Sequence, residues 1–378
     1  MPGLALLALW LLAGLAVWAW ADNPRLRRRL PRAGPPTPTQ TATPTQPPAA
    51  ATATPTATLP PTPLPTATAS PTATATPTRT PTPGAGPSLA GCPVLPPDNI
   101  WNAPIDTLPV HPRSADYIRS IGESAGVHPD FGSGTWDGGP IGIPYVVVPD
   151  SQPLVSITFE YADESDSGPY PIPPDAPLEG GPASSGDRHV LVLDRDRCRL
   201  YELFAAYPQG DGSWRAGSGA VFDLASHSLR PAGWTSADAA GLPILPGLVR
   251  FDEVAAGAIH HAIRVTAPRT RRAYVWPARH YASSQIDEVL PAMGQRFRLK
   301  ASVGLSGFAP EVRVILLAMK VYGMVLADNG SAWYVSGAPD ERWNNDVLVG
   351  QLRLVKGSDF EAVDVSGLMV DPDSGETR

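Results

Sequence analysis

Cysteine is almost missing from this chain, with two residues, Cys92 and Cys198, in 378. They form no CxxC pair, so they cannot build a structural zinc site without histidine ligands, and no HxH or HExxH pattern supplies those. Positive charge is missing where it usually lies. No Lys or Arg precedes the apolar run at residues 4–20, whereas Arg25, Arg27, Arg28, Arg29 and Arg32 follow it. Beyond that run nothing is apolar and long enough to cross a bilayer. Aromatic residues are only 7% of the chain, so its ten tryptophans, Trp234, Trp276, Trp333 and Trp343 among them, fit an ordinary core as well as a ligand groove.

The apolar run within residues 1–21 has a length between that of a signal-peptide core and a membrane span, so it reads as either a signal peptide or an N-terminal membrane anchor. Ala19-Trp20-Ala21 has the small-x-small form of a cleavage site. Taken literally, the arginines behind the run would hold the large domain on the cytoplasmic side. The rest of residues 22–87 argues for export. Its Arg-rich start gives way to Pro, Thr, Ala and Gln, as in ATPTATLPPTPLPTATAS. Such a segment buries no core and reads as a disordered, semi-rigid linker, either O-glycosylated or bare. The expected location is therefore secreted or cell-surface, membrane-tethered if the first segment is retained.

In that compartment the two cysteines predict a Cys92–Cys198 disulfide, with two buried free thiols as the alternative. Residues 1–87 hold six of the 29 basic and one of the 36 acidic residues, so residues 88–378 carry 23 against 35, a net charge of −12. That balance argues against nucleic acid as a partner. Membrane contact is expected only through the N-terminal segment, and the chain is expected to be monomeric.

From residue 88 the pattern is mainly β. GIPYVVVP, PLVSITFEYA, GSGAVFDL, MGQRFRLKASV, AWYVSG and FEAVDV are short β-branched or aromatic runs bounded by Pro, Gly and Asp. A helix capped by Ser114 is expected over ADYIRSIGES, and an amphipathic one over APEVRVILLAMKVYG, with Val312, Ile315, Leu316 and Met319 buried. Residues 88–370 thus read as one β-sandwich domain, of jelly-roll type, with one packed amphipathic helix and minor helices; residues 371–378 read as a disordered tail. The acidic loop at 163–187 offers Asp163, Glu164 and Asp166 to a calcium ion, against a plain solvated loop; no other cofactor is expected and no metal-binding residue is assigned.

The chemistry is concentrated between Gly186 and Ser283. HVLVLD and CRLYELF predict a hairpin turning at Arg195 and Asp196, which sets Leu193 opposite Cys198, Leu191 opposite Leu200 and His189 opposite Glu202. An inward His and Glu in contact is unusual enough to mark a site, against a plain structural pair. Asp238 and Trp234 lie in a Gly- and Pro-rich passage, and Arg250 and Asp252 follow. Asp252 is expected foremost to cap a short helix, DEVAAG. In IHHAIRVT, His261 is placed on the core face and Arg264 on the other. A strand through Tyr274 and Trp276 delivers Arg279, His280 and Tyr281 at its exit, and Asp328 closes MVLAD.

DNIWN, PYPIPPDAPLEGG, GDRHVLVLDRD, WTSADAAGLP to GLVRFDE, YGMVLADNG and SGAPDERW together resemble a family of uncharacterised exported bacterial proteins, often preceded by Thr/Pro-rich stalks. The resemblance implies export and a single domain, and implies no activity.

Three functions fit. The first is a surface carbohydrate-active enzyme acting on a polysaccharide or cell-wall glycan. A glycoside hydrolase would use Glu202 as the perturbed carboxyl with Asp238, Asp252 or Asp328 as partner. A polysaccharide lyase would use His280 and Tyr281, with Arg250 or Arg279 neutralising a uronate and Trp234 and Trp276 stacking sugar rings. The second is a non-catalytic wall-binding or adhesion module. The third, a metal-dependent hydrolase, would need His189, His261 and His280 within about 5 Å of one another.

Overall fold

The computed structural model describes residues 86–378. The apolar run and the Pro/Thr-rich linker lie outside them. No helix among the described residues is long and apolar enough to cross a membrane.

Strands dominate. β1 (Ser88–Leu89) and β2 (Cys92–Pro93) pair at the start, followed by helix α1 (Ser114–Ile121), β3 (His128–Asp130) and a small hairpin of β4 (Thr135–Trp136) and β5 (Gly139–Pro140). Next come β6 (Tyr145–Val148), β7 (Ile157–Phe159), β8 (Val190–Asp194), β9 (Arg199–Phe204), β10 (Tyr207–Pro208), β11 (Trp214–Ala216) and β12 (Ser218–Asp223). The last third holds α2 (Phe251–Ala256), β13 (Ile263–Ala267), β14 (Arg296–Leu299), α3 (Pro310–Val321), β15 (Met324–Asn329), β16 (Tyr334–Ser336), α4 (Asn345–Leu352) and β17 (Phe360–Val363).

Three sheets carry the core: β10-β11-β7, β12-β9-β8-β6 and β17-β14-β15-β13-β16-β3. Strand alternation explains how they stack. On β8, Leu191 and Leu193 join the larger core with Ile263, Val265, Phe297 and Leu326 of the six-stranded sheet. Val190 and Val192 point the other way, into a smaller core with Trp214 and Ala216 of the three-stranded sheet. The four-stranded sheet is therefore a middle layer. Helices α1 and α3 cover β17 and β14, the turn at Leu245–Gly247 packs on β13, and β13 is buried along its whole length. A jelly roll is antiparallel throughout, whereas β6–β8, β7–β11, β13–β15 and β3–β16 pair in parallel. The mainly β reading holds and the jelly-roll pattern does not.

Several local expectations need correcting. The hairpin forms, but Leu193 pairs with Leu200 and Leu191 with Glu202. The turn is longer because Asp194 Oδ1 accepts from the backbone of Asp196 and Arg197 at 3.0 and 3.1 Å, and Cys198 adopts a left-handed φ of 51°. A shift of two residues keeps each side chain on its face and changes its partner, so His189 and Glu202 do not meet. Tyr274 and Trp276 form no strand: Tyr274 makes one isolated bridge, to Met293, and a cis bond precedes Pro277. His261 lies ahead of its strand, which starts at Ile263. Ser114 caps nothing; its hydroxyl accepts from Ala362 N of β17 at 2.8 Å. Asp252 sits in the first turn of α2 without capping it, since Arg250 is the N-cap.

The disulfide is present, joining Cys92 to Cys198 across 106 residues. Helix α3 buries the expected Val312, Ile315, Leu316 and Met319. Residues 371–378, expected as a loose tail, are tied in. Gly375 N donates to His227 O and its carbonyl accepts from Ile100 N, while Thr377 N donates to Asp98 O.

Candidate functional site

The short segment 235–242 organises the polar groups. Thr235 N donates to Glu164 Oε2 at 3.1 Å, and the Ser236 hydroxyl donates to Leu242 O at 2.6 Å. His189 Nε2 reaches Ala237 O at 3.0 Å and His280 Nδ1 reaches Ala239 O at 2.9 Å. Ala240 N donates to Ala327 O, which fastens the segment beside β15. Asp238 points inward and receives a two-pronged contact from Arg264, Nε to Oδ2 at 2.7 Å and Nη2 to Oδ1 at 2.8 Å.

Arg264 lies mid-strand on β13, in a sheet covered on both faces. Its remaining donors reach Ser336 Oγ at 2.7 Å and Asp328 Oδ2 at 3.3 Å. Asp328 is there because of a bulge. Val265 pairs with Leu326 but Thr266 pairs with Asp328, so Ala327 is skipped and Asp328 turns to the face that carries Arg264. Such extra residues commonly re-aim a side chain at a site.

Two acidic groups share this one guanidinium, and the consequence is visible in the proton affinity of Asp328. Burial and the neighbouring Asp238 carboxylate push Asp328 up to about 7, with Arg264 opposing. Its side chain is 22% exposed, so this proton meets solvent. Glu202 is fully buried and is likewise pushed up by burial to about 7, against the backbone N–H groups of Ile244 and Leu245 that it accepts at 2.9 Å each. Those bonds cap the start of a short 3-10 turn at Leu245–Gly247.

His189 is sealed too. Burial works against its charge, but Glu179 lies 2.7 Å from Nδ1 and raises it to about 9. Glu179 is held below its ordinary range by the same pair, against the effect of its burial.

Of the residues expected to act in catalysis, Glu202, His189, Asp238 and Asp328 converge here, yet only Asp328 reaches the surface. His280 and Tyr281 stand on the same rim, their rings parallel with centroids 5.6 Å apart, and His280 Nε2 is 3.9 Å from Glu164. Asp187, exposed between the loop and β8, acts on Asp328 electrostatically. Asp252 lies apart, 3.5 Å from Arg250.

The expected ligand-binding residues are mostly committed elsewhere. Arg250 is buried against Glu253 at 2.7 Å, and Glu253 also meets His261 at 3.1 Å. Arg279 is buried and donates to Pro372 O and Asp373; Trp276 Nε1 donates to Ser374 O at 2.7 Å. Trp234 is half-buried, with the Arg230 guanidinium 5.5 Å from its ring. In the loop considered for calcium, Asp166 pairs with Arg230 and Glu164 with Thr235. Among the described residues no three His, Cys, Asp or Glu side chains are placed to hold a metal ion, and His189, His261 and His280 each serve different partners.

Sequence reasoning missed Arg264, Glu179, Asp187 and Ser336. Arg264 carried a usable signal, a cation inside an otherwise apolar strand; Glu179 sits in a Pro/Gly loop that gives none. Compared with known proteins, the chain matches no family model, no curated sequence and no solved structure, so the site stands on its own geometry.

Proposed function

We propose that this is an exported, surface-tethered carbohydrate-active protein whose globular domain, from residue 88 onward, cleaves glycans with Asp328 as general acid. One observation carries the reading. Asp328 alone in the buried cluster both holds a proton near neutrality and touches solvent. Glu202, the carboxyl that sequence favoured, is sealed beneath it, so the acid role passes to Asp328. Asp187, exposed on the same rim, is the second carboxylate that glycoside hydrolysis requires.

The disulfide supports an oxidising compartment, in line with the resemblance to exported proteins with stalks. The four- and six-stranded sheets flanking one core support a sandwich architecture. A lyase acting on uronates fits less well, because Arg250 and Arg279 are buried and already paired.

A second reading, the non-catalytic glycan-binding module, is favoured by an open groove of about 600 Å³ on the face of the four-stranded sheet, with Tyr201, Arg199, Asp223 and Arg230 in its lining. Reducing-end release from a glycan panel separates the two. Cleavage by the native chain that Asp328→Asn abolishes, with binding retained, supports hydrolysis. Binding without cleavage supports the module, and neither removes the carbohydrate reading.

A further inference from the structure

Residues 371–377 lie across a cleft made by three separate stretches of the fold, and they are held there as an extended peptide ligand is held. Gly375 N donates to His227 O at 2.7 Å and Gly375 O accepts from Ile100 N at 2.8 Å, while Thr377 N donates to Asp98 O at 2.9 Å. Isolated bridges join Ser374 to Ser228 and Glu376 to Asn99, and no regular strand forms. Main-chain bonds of this kind give peptide recognition its affinity, and side-chain pockets give it specificity.

Two side chains of the cleft face the segment. Arg279 is only 5% exposed; its Nη1 donates to Pro372 O at 2.7 Å, its Nη2 pairs with the Asp373 carboxylate, and its Nε has no partner. Trp276 Nε1 donates to Ser374 O at 2.7 Å. A cation buried this deeply needs an anion beside it. That anion comes from a side chain that is itself 76% exposed. The acidic group at the far end of the cleft, Asp98, has its carboxylate 3.1 Å from His227 Nε2.

Gly375 meets a steric demand. A Cβ there would stand 2.8 Å from Asn99 Nδ2, and Asn99 is buried, with its Oδ1 accepting from Trp101 N at 3.1 Å. The cleft therefore admits glycine where the segment passes closest.

What holds the segment down is polar. None of residues 371–378 belongs to either apolar core, and among them only Gly375 is buried. Thr377 bridges back to Met369 and Arg378 N donates to Leu368 O, so the segment is a closed loop that can lift as one piece. Elements with few apolar contacts open at a fraction of the global free energy.

From this arrangement we infer that residues 371–377 are a displaceable occupant of a peptide-binding cleft, which takes an extended acidic Asp-Ser-Gly peptide of a partner protein in their place. Arg279 receives the aspartate, Trp276 the serine carbonyl, and Asn99 selects the glycine. The inference stands apart from the carbohydrate reading and does not need it.

Two measurements on the full chain test it. Hydrogen exchange reads the release: the amides of Gly375 and Thr377 are expected to exchange at least about a hundredfold faster than those of β13. Equal protection makes the segment part of the cooperative fold and overturns the inference. Calorimetry with a synthetic peptide of residues 369–378 reads the exchange of occupant. Asp373 is exposed, so the full-chain variant Asp373→Asn keeps the native circular dichroism while its own segment loses its hold on Arg279. That variant is expected to bind the peptide at least about tenfold tighter than the native chain does, and Asp373→Asn or Gly375→Val within the peptide should each weaken binding about tenfold. No binding, or binding indifferent to both changes in the peptide, overturns the inference. So does a preference for polygalacturonate over the peptide, which would make the cleft a uronate site. A dimer of the native chain that the peptide dissociates would assign the occupant to a second copy and overturn the separate partner.

Discussion

His189 and Glu179 form a buried ion pair, Nδ1 to Oε2 at 2.7 Å, while the other ring nitrogen of His189 lies 3.0 Å from Ala237 O. Both nitrogens face oxygen acceptors, so the ring is held as imidazolium. A charge is thereby fixed inside the fold, and with it a dependence of stability on pH.

The folded pKa of His189, about 9, is above its ordinary 6.5. Its stabilisation, roughly 3 kcal/mol, is therefore fully present below pH 6.5 and lost as pH rises through 9. Glu202 and Asp328, raised to about 7, also hold protons that the unfolded chain releases, so they lower stability between about pH 4 and 7. Glu179 has the opposite sign: its depressed pKa gives stabilisation that is lost as pH falls below the ordinary 4.5. Denaturant midpoints should be highest near pH 5 and fall steadily to pH 9. A flat or rising profile over that range would refute the assignment.

Replacing Glu202 by alanine leaves the backbone N–H groups of Ile244 and Leu245 without acceptors and opens a cavity. A loss of about 2–4 kcal/mol is expected by chemical denaturation. Glu202→Gln keeps an acceptor and removes the ionisation, so it should cost far less and flatten the decline between pH 4 and 7.

The Cys92–Cys198 bond closes a long loop, so its loss should cost about 4–5 kcal/mol in the chain-entropy account. Intact mass should rise by two hydrogens on reduction, and the paired Cys92→Ser, Cys198→Ser variant should unfold at lower denaturant. An unchanged mass would remove the strongest support for an oxidising compartment.

If Asp328 delivers the proton, cleavage should fall about tenfold per pH unit above 7, where its carboxyl ionises. Asp328→Asn should lose that limb together with at least 99% of the rate, a hundredfold being the low end for general acid catalysis. Activity that persists with an unchanged profile in the variant would exclude it.

Removing Arg264 strands Asp238 in the core. Arg264→Met is expected to cost about 3–5 kcal/mol, much of it recovered when Asp238→Leu is added. Thermal denaturation of the two variants checks the order; a double variant weaker than the single would contradict it.

Period-two alternation in HVLVLD and CRLYELF told which side chains of the hairpin share a face, because alternation survives a shift of two residues. It could not tell which residues pair, since that depended on the Asp194 side chain closing a longer turn. His189 and Asp328 were legible as polar groups at the ends of apolar runs, and Asp238 as an acidic group in a Gly- and Pro-rich passage. Arg264 was assigned to the face away from the core on the assumption of a sheet covered on one side, and β13 is covered on both. The bulge that skips Ala327 has no composition signal at all, and it alone puts Asp328 beside Arg264.

The disulfide also sets how the domain would bear load. Cys92 opens the second strand of the first short pair, and Cys198 lies in the β8–β9 turn of the middle sheet. A pull arriving from the N-terminal side therefore passes through a covalent bond into the central hairpin. It does not first peel the segment 93–112 away, with its hydrogen bonds to Arg296 and Arg298. With the bond intact, stretching should leave most of the 106-residue loop unextended; after reduction, that length becomes available to the pull.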